Sequence, residues 1–135
     1  MTAKEYLNQA YRLDQRINSK LEQVASLRDL ATKATATMSG MPGSASPNLH
    51  RTQDIIGKII DLENEINADI DHLVDLKREM VAVIKAVGNP EHQTLLELRY
   101  LCFKTWEQIA VDMSYTLAYT FELHKKALNH IQVPQ

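Results

Sequence analysis

Residues 97–128 of the chain read ELRYLCFKTWEQIAVDMSYTLAYTFELHKKAL, and this stretch contains two signals for the start of a helix. Thr105 and Gln108 have the spacing of a capping box, in which each side chain bonds a free backbone N–H group at the beginning of the helix. After the polar pair Ser114–Tyr115, Thr116 offers a second N-cap. Apolar residues follow both caps at intervals of three and four, so the stretch predicts two short helices around a tight turn.

Another short helix is predicted just before this pair. Gly88 suits the left-handed position that ends a helix, and Pro90 suits the first position of the next one. The spacing of leucines then predicts a helix over residues 90–102. A helix followed by two short capped helices around a tight turn is the arrangement that places a recognition helix in the major groove of DNA.

Two long helices are predicted upstream of residue 88. Thr2 and Glu5 have the spacing of another capping box, and apolar residues then recur every seven positions from Ala3 to Met38, with Leu7, Leu13, Leu21 and Leu27 between them. Residues 51–87 repeat the same heptad pattern. The segment between them is rich in Gly, Pro, Ser and Asn and predicts a mobile loop over residues 39–50. Equal lengths of about 36 residues, or roughly 55 Å, favour an antiparallel hairpin.

The predicted fold is therefore all-α. A coiled-coil-like helical hairpin occupies residues 1–88, and a three-helix domain with a helix-turn-helix occupies residues 89–135. Both long helices carry apolar residues beyond a single seam, which predicts self-association through the hairpins, as a homodimer. The additional apolar positions are Ile56, Ile60, Ile70, Leu76 and Ile84.

Composition narrows the class of protein. The chain has 135 residues, of which 44% are hydrophobic and 24% are charged, as is usual for a folded globular protein. No apolar run approaches the roughly 20 residues that span a bilayer, so we expect no membrane partner. The N-terminus lacks the apolar core of a signal peptide, and the single cysteine suits a reducing compartment. We therefore expect a cytoplasmic protein.

The charge distribution argues against strong autonomous binding to DNA. The net charge is −2, and residues 90–135 carry four Lys or Arg residues against five Asp or Glu residues. A DNA-binding domain usually has a basic face, because contacts with phosphate groups supply much of its affinity. Any DNA binding by this segment should therefore be weak and strongly dependent on salt.

Residues 99–110, RYLCFKTWEQIA, resemble the start of the DNA-binding helix-turn-helix of sigma factor region 4. Nearly the whole chain is similar to a family encoded by phages and prophages of Gram-positive bacteria, related to autolysin-regulator and late-gene activator proteins. This resemblance implies a regulator of phage transcription that works in the bacterial cytoplasm. Two positions depart from the motif: Ser114 stands where the turn usually has Gly, and Thr120 stands where the recognition helix usually has Val or Ile.

The helix-turn-helix pattern also identifies candidate DNA contacts. Lysines are candidates for phosphate contacts, and the exposed positions of the last helix are candidates for contacts in the groove. This set contains few hydrogen-bond donors for base edges and includes one carboxylate. The predicted DNA-binding residues are Lys104, Thr105, Gln108, Thr116, Leu117, Ala118, Tyr119, Phe121, Glu122, Lys125 and Lys126.

Two other interpretations of residues 95–128 remain open. A degenerate helix-turn-helix can serve as a protein-interaction surface that docks on RNA polymerase, a sigma factor or a host defence protein, and the segment can also be a plain helical bundle. An apolar surface around residues 116–128 would favour a protein partner, whereas a basic surface would favour DNA. Trp106 is expected to pack against the preceding helix, with Tyr100 and Phe103.

The sequence offers little support for an enzyme. Asp69 and His72 have the spacing of a carboxylate–histidine pair in di-iron bundles, but such sites need a second pair and two further glutamates. The acidic residues of the second long helix are better explained as a solvated face. Cys102 has no residue placed to activate it and is predicted to be a small buried apolar residue. We expect no catalytic residue, no metal and no cofactor.

Overall fold

The computed structural model describes residues 1–38 and 46–135, and all of the regular secondary structure in those ranges is helical, with no strand. This confirms the predicted all-α fold. Five α-helices and one π-helix follow one another along the chain. They are α1 (Ala3–Met38), α2 (Ser46–Lys85), α3 (Pro90–Leu96), the π-helix (Glu97–Leu101), α4 (Trp106–Met113) and α5 (Leu117–Asn129).

Helix α2 begins earlier than the sequence pattern predicts. Residues 46–50 were expected to belong to the loop but form the first turn of α2. The physical reason is that proline is well tolerated in the first turn of a helix, where its missing N–H group has no partner to lose. Pro47 therefore does not delay the helix. The remainder of the predicted mobile loop, residues 39–45, lies outside the described residues.

The contacts of the chain divide it into two compact units. The hairpin unit contains residues 15–71, and the C-terminal unit contains residues 1–14 together with 72–135. Helices α1 and α2 therefore contribute residues to both units. The predicted domain division at residues 88–89 stays a prediction.

The hairpin unit is an antiparallel helix pair. Lys20 of α1 bonds Asp69 of α2 at 2.7 Å, and Arg28 bonds Glu63 at 2.8 Å, so residue numbers fall along α2 as they rise along α1. The buried apolar residues of this unit are Ile17, Val24 and Ile66. Both the long helix pair and its antiparallel direction were predicted.

One seam position was predicted wrongly. Leu21 was expected between the helices but is 49% exposed, whereas Lys20 is only 8% exposed and occupies the buried position. Its ammonium group lies 2.7 Å from Asp69 and 3.6 Å from Glu65, so its charge is compensated. The reason is that a lysine in a helical seam can be buried along its stem when carboxylates meet its charged end.

This buried ion pair should respond differently to single and double replacement. We expect Asp69→Leu alone to lower the free energy of unfolding by about 2 kcal/mol, because it strands a buried ammonium that retains only Glu65. We expect Lys20→Leu combined with Asp69→Leu to restore stability or exceed it. Urea unfolding followed by circular dichroism measures both effects. Asp29→Leu is the matched control, because its pair with Lys33 is exposed and contributes less than about 0.5 kcal/mol.

The C-terminal unit contains the largest hydrophobic core of the described residues. The start of α1 and the end of α2 pack with α3, the π-helix, α4 and α5, and Tyr6 donates a 2.8 Å hydrogen bond to Glu79. Leu76 and Ile84, which were expected to face a second copy, are buried here, so that part of the prediction was wrong. The core residues are Tyr6, Leu7, Ala10, Leu76, Met80, Ile84, Leu95, Leu96, Tyr100, Ile109, Leu123 and Ala127.

The predicted junction before α3 is confirmed. Helix α2 ends at Lys85, and Gly88 has a φ of 84°, a left-handed conformation that glycine adopts without strain. Asn89 caps α3, its side chain accepting hydrogen bonds from the N–H groups of Glu91 and His92. Pro90 is the first residue of the new helix, where its lack of an N–H group costs nothing.

The third helix of the C-terminal unit differs from the continuous α-helix predicted over residues 90–102. Its second half is a π-helix, in which the Cys102 N–H group bonds the Glu97 carbonyl five residues back, at 3.0 Å. The wider turn changes which residues share a face. Cys102 was predicted to be buried but is exposed, because the π-helix rotates it away from the face that carries Leu95.

Candidate nucleic-acid interface

The start of α4 has the predicted capping box. The Thr105 side chain accepts a hydrogen bond from the Gln108 N–H group at 3.2 Å, and the Gln108 side chain accepts one from the Thr105 N–H group at 2.9 Å. Two free N–H groups of the helix are thereby satisfied. Thr105 and Gln108 were both predicted to contact DNA, and the structure shows that each side chain already accepts a hydrogen bond within the protein.

The turn between α4 and α5 depends on one left-handed residue. Ser114 has a φ of 60° and a ψ of 40°, the conformation usually supplied by glycine in this turn. The N–H group of Tyr115 bonds the Ala110 carbonyl at 2.9 Å and closes the end of α4. A non-glycine residue in this conformation costs roughly 1–2 kcal/mol, so the packing of the two helices has to hold it in place.

Helix α5 is fixed to that turn by two threonines. Thr116 is its N-cap and accepts a hydrogen bond from the Tyr119 N–H group at 3.1 Å, as predicted. Thr120 is fully buried, and its hydroxyl donates a 2.8 Å hydrogen bond to the Thr116 carbonyl. Because this bond satisfies the hydroxyl, threonine can occupy the buried position without an unpaired polar group.

The two helices are held together by a small set of buried residues. Ile109 and Ala110 of α4 are 0% and 6% exposed, and Thr120, Leu123 and Ala127 of α5 are 0–4% exposed. Their spacing puts all three residues of α5 on one face. The opposite face of α5 remains open to solvent, as the recognition helix of a helix-turn-helix requires.

Trp106 packs against the preceding helix, as predicted, but it does so through Arg99 and not through Phe103. The Arg99 guanidinium lies 4.5 Å from the centre of its ring, and the rings of Phe121 and His124 lie 5.4 Å and 4.4 Å away. Phe103, which was expected beside it, instead packs edge-on against Tyr11 at 5.6 Å. Trp106 therefore connects the π-helix to α5, and Arg99 serves as its packing partner.

A hydrogen bond between the buried Tyr100 and the half-buried His124 links the π-helix to α5. The Tyr100 hydroxyl and His124 Nε2 are 2.6 Å apart. Burial, reinforced by the positive charges of Lys4 and Arg99, lowers the pKa of His124 to about 4. Burial likewise raises the pKa of Tyr100 to about 12. Both groups are neutral at pH 7, so this contact carries no charge that could bind a phosphate group.

Several candidate DNA contacts are engaged within the unit. Lys104 forms a salt bridge with Asp112 at 2.5 Å, and this hydrogen bond raises the pKa of the lysine. The Tyr119 hydroxyl donates a 3.4 Å hydrogen bond to Glu91. The carboxylate of Asp112 offsets the charge that Lys104 was predicted to offer to DNA.

The exposed surface of α4 and α5 is more apolar than basic. Val111 is 78% exposed, and Leu117, Tyr119 and Phe121 are 39%, 41% and 45% exposed. The remaining candidates on α5 are also exposed, and they comprise Ala118, Glu122, Lys125 and Lys126. The exposure of Leu117, Tyr119 and Phe121 was predicted from the sequence, but the exposure of Val111 was not. Val111 shares a shallow groove with Lys104, Glu107, Gln108 and Asp112. That valine lies on the face of α4 opposite Ile109, so helical spacing could have identified it.

Two further features are absent from the described residues. None of their His, Cys, Asp and Glu side chains form a group of three or more that could hold a metal ion. Across residues 1–38 and 46–135, no helix combines the length and the hydrophobicity needed to cross a bilayer.

The fold and this surface define a helical protein whose C-terminal unit presents a helix-turn-helix arrangement. The chain belongs to the DUF1492 family, described as proteins of unknown function, whose profile matches residues 45–132. The match covers α2 to α5 and so includes the whole candidate interface. No curated protein and no solved structure matches the chain.

Proposed function

We propose that this protein regulates phage transcription in the cytoplasm of a bacterial host by binding DNA through α4 and α5. The observation that supports this proposal best is the geometry of the turn. Two capped helices meet at the left-handed Ser114, and Ile109 and Leu123 pack between them. The outer face of α5 is thereby held open at a fixed angle, which a recognition helix needs. The resemblance of residues 99–110 to sigma factor region 4 points to the same function.

The side chains of α5 suggest how such binding would work. Lys125 and Lys126 are exposed on the second half of the helix and can contact phosphate groups. Leu117 and Phe121 can make apolar contacts with thymine methyl groups in the major groove. Glu122 opposes binding through its charge. Two lysines are few, so the affinity of one unit should be low and should fall steeply with salt.

Replacing both lysines should test this docking. We expect Lys125→Ala with Lys126→Ala to reduce affinity for the phage promoter region at least tenfold, and to reduce the slope of log affinity against log salt by about 1.8. Fluorescence anisotropy at several salt concentrations measures both quantities. Lys33→Ala with Lys58→Ala is the matched control, because it removes the same charge from exposed positions of the hairpin unit. Unchanged affinity in the α5 variant, with helicity preserved, would contradict the proposed docking.

A second candidate function is docking on a protein of the transcription machinery. It is favoured by the exposure of Val111, Leu117 and Phe121, together with the neutralisation of Lys104 by Asp112. An apolar face suits a protein partner better than it suits a phosphate backbone. RNA polymerase and its sigma factor are the candidates implied by the resemblance, and a host defence protein is a third.

A variant of the apolar surface, compared with the variant that lacks Lys125 and Lys126, separates the two functions. Val111→Ser removes exposed apolar surface that the proposed DNA contacts do not use, and it leaves every charge in place. Binding to purified RNA polymerase that is lost in this variant, but retained when Lys125 and Lys126 are replaced, would favour the protein partner. The opposite pattern, measured on promoter DNA, would favour DNA binding.

A further inference from the structure

The hairpin unit has one apolar side and one charged side. Leu49, Ile56, Ile60 and Ile70 of α2 are 46%, 46%, 54% and 41% exposed. Their spacing, together with that of Glu63 and Asn67, places them in one row along the helix. Leu21 of α1 is 49% exposed and lines the same groove as Ile70. We call this surface the apolar face; from Leu49 to Ile70 it spans about 32 Å.

The apolar face carries almost no charge. Its groove is lined by Leu21, Val24, Arg28, Glu63, Ile66, Asn67 and Ile70, and the two charged residues among these pair with each other at 2.8 Å. The groove on the other side of the seam contains Lys58, Asp61 and Glu65. A neutral apolar surface would not attract DNA, and it would not repel an identical surface.

The core of the hairpin unit is small for its size. Within residues 15–71, the apolar side chains buried in the described part are those of Ile17, Val24 and Ile66. Two helices that cover each other along one narrow seam leave much of their apolar surface in water. Covering the apolar face would bury at least five more large side chains.

We infer that the apolar face binds the same face of a second copy of this chain, with the two α2 helices antiparallel. The row of side chains on α2 is complementary to itself when the two helices run in opposite directions. About a two-fold axis at residue 65, Ile60 meets the partner's Ile70, and Glu63 meets the partner's Asn67. Apolar residues thus face apolar residues, and a carboxylate faces an amide that can donate to it. Heptad spacing gives these pairs the layers of an antiparallel four-helix bundle.

A parallel arrangement of the two α2 helices lacks this match. Each residue would then face its own counterpart, and Glu63 would face the partner's Glu63. The two carboxylates would then lie side by side without a donor from the partner, whereas the antiparallel pairing offers each of them an amide donor. Residues 60 and 70 also lie about 15 Å apart along one helix, so the two arrangements bring different positions together. This difference makes the geometry testable.

The first test concerns the oligomeric state of the full chain at tens of micromolar. We expect light scattering to give the mass of a dimer for the natural sequence and of a monomer for Ile60→Glu with Ile70→Glu. Leu30→Glu is the matched control, because Leu30 is 47% exposed but lies on the other side of α1 from Leu21, and this variant should stay dimeric. A monomeric natural sequence, or a dimeric double variant, would overturn the inference.

The second test fixes the direction of the helices and does not depend on destabilising the dimer. Ile60→Cys and Ile70→Cys are made separately in a Cys102→Ser background and then oxidised alone or as a mixture. We expect disulfide-linked dimers only in the mixture, because position 60 meets the partner's position 70. Crosslinking of Ile60→Cys by itself would overturn the antiparallel arrangement, and no crosslinking in the mixture would overturn the interface. Neither result depends on whether the chain binds DNA.

Discussion

Ile109→Ala should weaken the packing of α4 against α5 and lower the free energy of unfolding by about 3 kcal/mol. Ile109 is fully buried, so the substitution removes apolar contacts and leaves a cavity where α4 meets the core of the C-terminal unit. Because Ser114 is held in a left-handed conformation by this packing, the turn should loosen as well. Urea unfolding by circular dichroism measures the loss, and DNA or polymerase binding should fall in parallel.

Val111→Ala is the matched control for this experiment. Val111 lies two residues further along the same helix, but it is 78% exposed, so truncating it should change stability by less than about 0.5 kcal/mol. Equal losses in the two variants would mean that α4 is not anchored through Ile109. A binding defect in Val111→Ala at unchanged stability would instead identify Val111 as part of the docking surface.

The C-terminal unit should lose stability in mild acid through His124. The pKa of this residue is lowered from 6.5 to about 4 in the folded protein, first by burial and then by the charges of Lys4 and Arg99. Above pH 6.5 the ring is neutral in both folded and unfolded chains. As the pH falls from 6.5 towards 4, only the unfolded chain takes up the proton, so stability decreases.

The shift in the pKa of His124 limits the loss in the free energy of unfolding to roughly 3 kcal/mol. Because water reaches part of the ring, we expect a loss of about 1–2 kcal/mol. Thermal unfolding between pH 7 and pH 4.5 measures it. In His124→Phe, which keeps a ring beside Trp106 and cannot titrate, the part of the pH dependence due to this residue should vanish. His72→Gln is the control at an exposed position, and it should retain the full pH dependence of stability. If His124→Phe retains that pH dependence too, a group other than His124 causes it.

The starts of α1, α3, α4 and α5 proved predictable from the sequence because they are set by local chemistry. Thr2, Asn89, Thr105 and Thr116 each satisfy N–H groups within three residues along the chain. The Asn89 cap was not foreseen, but the neighbouring Gly88 and Pro90 already marked the junction. Such interactions need no knowledge of the rest of the fold.

The side of each helix that faces the core was harder to predict. Lys20 and Leu21 are adjacent, and hydrophobicity alone predicts that the leucine lies in the seam. In the structure the lysine lies there, because Asp69 and Glu65 are opposite it. Similarly, Leu76 and Ile84 looked like surplus apolar positions until the C-terminal core accounted for them. The burial of Lys20 depends on Asp69, which is 49 positions away in the sequence, and the burial of Leu76 and Ile84 depends on other helices.

The candidate interface was predictable in outline but not in its electrostatics. The sequence predicts the capping bonds of Thr105 and Gln108, but not the salt bridge that occupies Lys104. Arg99 could equally have been a phosphate contact, and only the geometry shows it over Trp106. The partners of polar side chains follow from tertiary structure, which spacing does not encode.

The π-helix at Glu97–Leu101 has the effect of one extra residue accommodated inside a helix. Removing one residue there would let the segment continue as a regular α-helix, and everything after it would turn by about 100° around the helix axis. The Tyr100 bond to His124 and the stacking of Arg99 on Trp106 both depend on that rotation. Chain length in this segment is therefore as constrained as side-chain chemistry, and a relative one residue shorter here would have to rebuild the contact between its last two helices and the rest of the unit.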